Sequence, residues 1–174
     1  HVLRASGAAN QVSHLEAVTI DIVAMLFDFI FNDKDIPNGV KALVGRLQIP
    51  VLKVAMVDQS FFANRTHPAR RFLDEISKIS LRWGGNIDQQ DPFFITLESL
   101  IERIQNEFQS DIGVFGRALD ELQAFVDENE NAEDSAIKAI ADAAARQERE
   151  MAALAQAEKA VHRTVTTGMP EVMA

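Results

Sequence analysis

The sequence predicts an all-α fold, a helical bundle of about six or seven helices with a long alanine-rich carboxy-terminal helix. Three observations carry that reading. Apolar residues recur at three-and-four spacing in segment after segment, as one face of a helix requires. Prolines stand at helix starts (Pro37, Pro50, Pro68, Pro92), where a missing N–H costs nothing. Residues 135–164 are rich in Ala, Glu, Gln and Arg and contain neither Pro nor Gly, so their helix propensity is high.

Taken in order, residues 1–12 are small and mixed and are expected to fray. Ser13 and Glu16 match a capping box at the start of a helix. The run LEAVTIDIVAMLFDFIF is apolar around most of its circumference, which predicts a buried helix at residues 18–31 as the centre of the bundle. Val40, Leu43, Val44 and Leu47 form the stripe of the next helix. Residues 50–57 are rich in β-branched side chains, so a strand stays open there. Pro50 and the lack of a partner strand favour helix. Phe61 and Phe62 form a bent joint that supplies rings to the core. Pro68 then opens an amphipathic helix carrying Phe72, Ile76, Ile79 and Trp83, stopped by Gly84-Gly85-Asn86.

Asp91-Pro92 is a capping acid followed by proline. It starts a helix with Phe94, Leu97, Leu100, Ile101, Ile104 and Phe108 on one face. A second helix from Asp111 carries Ile112, Phe115, Leu119, Leu122 and Phe125, and the two predict an antiparallel hairpin. The acidic run DENENAED is expected to be a solvated joint. In the last helix Ile137, Ile140, Ala144, Met151, Leu154 and Val161 follow a heptad, with Gln147 and Glu158 at seam positions. The expected organisation is a frayed segment 1–12, a bundle domain 13–128, a long helix 129–164 and a disordered tail 165–174.

Composition sets bounds on function. Apolar residues at 47% and charged residues at 25% are ordinary for a globular chain. Cysteine is absent, which excludes disulfide and thiol chemistry. Eleven Phe with no Tyr supply ring area without a polar handle. The most apolar run, residues 23–31, is far shorter than the roughly 20 residues a bilayer demands, so no membrane span is expected. A net charge of −9 weighs against nucleic acid as a partner. The charge is uneven, however: residues 34–83 hold nine bases against four acids.

That basic middle contains the candidate site. Lys53, Arg65, His67, Arg70 and Arg71 form a basic cluster, with Arg70 and Arg71 in the first turn after Pro68. Guanidinium forks and free N–H groups there suit a phosphate or carboxylate. The competing reading pairs Arg70 and Arg71 with Asp74 and Glu75 one turn on, and makes His67 a helix cap. His14 and His162 have no companions at metal-ligand spacing, so no metal or cofactor is expected. Asp21 and Asp28 stand two turns apart on one face, too far to share a proton. No Ser-His-Asp or Cys-His constellation is identifiable.

The strings LFDFIFNDKDIP, LVGRLQIPVLKVAMVDQSFF and HPARRFLDEI resemble a large proteobacterial family of unknown function. Its members are long, mostly helical proteins, and some are mislabelled thymidine phosphorylase. A nucleoside phosphorylase needs a glycine-rich phosphate cradle, and the eight glycines here are scattered. The resemblance implies that this chain is an internal piece of a longer cytoplasmic protein. The expected function is non-catalytic: a protein-interaction or scaffolding module that self-associates or meets a protein partner through residues 135–164, as a coiled coil or other oligomer. The alternative is a regulatory domain binding a phosphorylated nucleotide or other anion at the basic cluster.

Overall fold

A computed structural model describes residues 2–84 and 87–167. Among these, seven helices and no strand are present: α1 (Val2–Asn32), α2 (Asn38–Gly45), α3 (Gln48–Val57), α4 (Ser60–Ala63), α5 (Pro68–Trp83), α6 (Pro92–Glu107) and α7 (Val114–Thr167). The chain divides into two units, His1–Val126 and Asp127–Ala174. The all-α expectation holds, and residues 50–57 are helix.

The first unit is built on α6. Leu97, Leu100, Ile101 and Ile104 along it are at most 2% exposed. Asp91 caps this helix by accepting the Phe93 N–H at 2.8 Å, with Pro92 in the first turn. The first three turns of α7 run back along α6, burying Val114, Phe115, Leu119, Leu122 and Val126. Arg103 of α6 grips Glu121 of α7 with both guanidinium arms, and Arg117 binds Glu107 and Asp111. The predicted hairpin is therefore present. Helix α5 closes the core from another side: Phe72 meets the Phe115 ring edge-on with centroids 6.5 Å apart, and Trp83 lies against Phe93 and Phe125. Gly84, at φ 74°, ends α5 in the conformation glycine adopts without a Cβ clash. Residues 85–86 lie outside the described residues.

Four expectations are corrected. First, α1 is not the buried centre. Among its described side chains only Val23, Phe27 and Ile30 are fully buried, with Leu26 and Phe31 partly buried beside them, while Met25 and Phe29 are 69% and 75% exposed. An apolar circumference fills a core only if neighbours cover every side, and α1 is covered by α2 and α3 on one. Second, residues 2–12 are helical rather than frayed, because they extend a long helix without a fresh nucleation cost. Third, Ser13 and Glu16 lie inside α1, so their capping-box spacing caps nothing. Fourth, the acidic run 127–134 is not a joint but part of α7. Residues 117–167 hold no Gly or Pro to break the helix, and the side-chain charge is met by solvent. Helix α7 reaches Thr167, beyond the expected end at 164; the rest of the predicted tail, 168–174, lies outside the described residues.

Candidate functional site

Four of the five basic residues lie at the α4–α5 joint, and Lys53 lies in α3. His67 is 5% exposed and precedes Pro68, which holds it in an extended conformation suited to capping. Its Nδ1 accepts the Ala69 N–H at 3.1 Å. That bond requires a bare Nδ1, so the proton sits on Nε2, which donates to Asp58 Oδ2 at 3.2 Å. The Phe61 ring packs on the imidazole with centroids 5.4 Å apart. Both nitrogens are committed, and the ring has no lone pair left for proton abstraction.

Arg70 is half-buried and donates to the carbonyls of Phe61 and Phe62, each at 3.4 Å. It thereby serves carbonyls at the end of the short α4, which have no helical partners of their own. The predicted pairing of Arg70 and Arg71 with Asp74 and Glu75 does not form; Glu75 instead meets Lys78 at 3.7 Å. Arg65 and Arg71 are exposed and form no ion pair among the described residues. Lys53 lies elsewhere, its ammonium 5.2 Å from the Phe108 ring centroid.

The cluster therefore spans two clefts. Arg70 borders one of about 310 Å³ between the end of α1 and α5, floored by Leu26, Phe29, Ile30 and Leu73. Lys78 adds a second base there, but Asp33 and Asp74 oppose it with two acids. Lys53 borders the other, of about 320 Å³, with Val54, Val57, Phe108 and Ile112. A third cleft of about 610 Å³ opens between α1 and the α3–α4 joint and is walled by Val12, Leu15, Ile22, Met56 and Phe62. At the first turn of α5, the Ala69 and Arg71 N–H groups are taken by His67. The N–H cradle that an anion would use is largely spent.

Asp58 was not singled out from the sequence. It stands nine residues from His67, a spacing that no local rule joins, and only the α3–α5 turn brings them together. Hydrogen bonds from Ser60, first through its hydroxyl and then its N–H, hold the Asp58 carboxyl below the usual carboxylate range; burial opposes this, and His67 adds to the lowering. Asp111 is lowered chiefly by Arg117 and then by the Gly113 N–H, and Glu121 chiefly by Arg103. A carboxylate depressed on folding contributes stability above its unfolded value, 3.8 for Asp and 4.5 for Glu. That contribution is lost as the pH falls through the folded value. The stability difference between wild type and Arg117→Ala should therefore be constant above about pH 5 and shrink below about pH 4. Urea melts across that range check it; a difference that grows on acidification would refute the assignment.

In the second unit, no described side chain from Asp127 to Val165 is buried. Ile137, Ile140, Met151, Leu154, Val161 and Val165 are between 57% and 70% exposed. With Ala144, Gln147 and Glu158 they alternate three and four residues apart over the whole stretch. Val165 joins this seam because α7 runs further than the sequence implied. Among the described residues no group of three or more His, Asp or Glu could hold a metal ion, and no helix is long and apolar enough to cross a membrane.

A family model described as "Protein of unknown function (DUF1631) 2nd domain" matches residues 1–111. The chain belongs to this family. The match on this DUF1631 second domain ends three residues before α7 begins, so the part of α7 that completes the core lies beyond it. Comparison with curated proteins found no match, and comparison with solved structures found none.

Proposed function

We propose that this DUF1631 domain is a non-catalytic protein-interaction module that pairs with another helix through the seam of α7. One observation carries the reading. Six large apolar residues recur at heptad positions on a helix that covers none of them, and a 3.5-residue repeat is what a supercoiled partner helix needs. A patch of this kind costs free energy in water and marks an interaction surface. The polar groups of the first unit support the non-catalytic part. His67 is spent as a cap, and Arg70 is spent on backbone carbonyls. The anion-binding alternative has less behind it: Arg65 and Arg71 are exposed, but Lys53 and Arg70 border different clefts.

Light scattering after gel filtration tests the reading. The chain should run as an oligomer, and Met151→Glu with Leu154→Glu should return it to monomer without lowering its melting temperature. A monomeric wild type, or an oligomer indifferent to the two substitutions, would refute it.

A further inference from the structure

We infer that the occupant of the α7 seam is a second copy of the same helix, antiparallel, in the one register that sets Gln147 opposite Glu158. The inference rests on the interaction reading above and adds partner, direction and register. Taking Ile137, Ala144, Met151, Glu158 and Val165 as the first seam positions of the heptads, Ile140, Gln147, Leu154 and Val161 are the second. In a parallel, in-register pair each position faces itself. That arrangement presses Glu158 against Glu158 inside the seam, two like charges removed from water. In an antiparallel pair, first positions face second positions, and sliding one helix by a heptad moves the two-fold axis by half a heptad.

With the axis between Ala152 and Ala153, the layers outward are Met151 on Leu154, Gln147 on Glu158, Ala144 on Val161 and Ile140 on Val165 of the second copy. The two polar seam residues then meet each other, and the Gln147 amide donates to the Glu158 carboxylate. The flanking positions are also compatible. Glu150 falls beside Ala157, and Glu148 beside Ala155, so no like charges meet. These alanines, with Ala141 and Ala143, let the backbones approach closely. Shifting the axis to Arg149 sets Glu148 against Glu148, Glu150 against Glu150 and Glu158 against Ile140, two repulsions and an unpaired charge in the seam. Of these two antiparallel registers, the axis between Ala152 and Ala153 pairs every seam residue from Ile140 to Val165 without opposing like charges, and a closed two-fold pair is the commonest oligomer.

Because the chain has no cysteine, a single label reports the geometry cleanly. A nitroxide on Lys138→Cys, exposed and outside the seam, is measured by pulsed electron resonance on the full chain. The proposed register places the two labels about 44 Å apart, at 1.5 Å per residue along the axis. The shifted antiparallel register gives about 33 Å, and a parallel pair, with labels at one height, about 20 Å. A distance near 44 Å supports the inference. Either shorter distance, in a protein that still loses its oligomer with Met151→Glu and Leu154→Glu, overturns register or direction while the interaction reading stands. A monomer by light scattering with no dipolar signal overturns both.

Discussion

A chain cut after Asp111, where the family match ends, will fail to hold a folded core, whereas a chain cut after Asp134 will unfold much like the full one. The first cut removes the α7 turns that bury Val114, Phe115, Leu119, Leu122 and Val126, none more than 8% exposed. At about 1.5–3 kcal/mol for each large apolar side chain, the loss is on the order of 10 kcal/mol. Small domains hold only about 5–15 kcal/mol in all. The cut also strips Arg103 of Glu121 and leaves one face of α6 against water. Keeping residues through 134 retains every buried residue among those described. Circular dichroism with urea melts decides the matter: a cooperative transition of ordinary midpoint from residues 1–111 would contradict this account of the core.

The second large effect separates two phenylalanines on one helix. Phe27 is 2% exposed and packs beside Phe31 with ring centroids 6.0 Å apart; Phe29, two residues on, is 75% exposed. Phe27→Ala empties a packed site and should cost about 3–5 kcal/mol. Phe29→Ala changes a surface side chain and should stay within about 0.5 kcal/mol. Chemical denaturation of the two variants measures both. Equal losses would mean that α1 is enclosed on all sides, as its composition alone suggested.

The same pair shows why part of the fold was legible and part was not. Helix starts were readable at Pro68 and at Asp91-Pro92, because capping and proline act within one turn. The stripes of α5 and α6 were readable because their polar faces leave a single face to bury. Helix α1 has few polar interruptions, so periodicity could not say which side its neighbours would take. Continuity through residues 127–134 was missed for a related reason. A run of acidic and polar residues suits either a loop or a solvated helix, and the choice depends on the helical turns before and after it.

The basic cluster was legible as a list of residues and not as a site. Charge reversal along the chain located Lys53, Arg65, His67, Arg70 and Arg71, and His67 before Pro68 pointed to a cap. The partners of His67, Arg70 and Lys53 are Asp58, the carbonyls of Phe61 and Phe62, and the Phe108 ring, groups up to 55 residues away whose proximity no spacing rule encodes.

By itself, then, the sequence determined the helical class, the hairpin of α6 and α7, and the heptad of the last helix, because each follows from interactions within a few turns. The tertiary structure decided that α6 rather than α1 is the centre, that His67, Arg70 and Lys53 are tied to different partners while Arg65 and Arg71 face solvent, and that the α7 seam lies open. Those outcomes depend on which faces meet, and a face is covered or left to solvent only once the whole chain has packed.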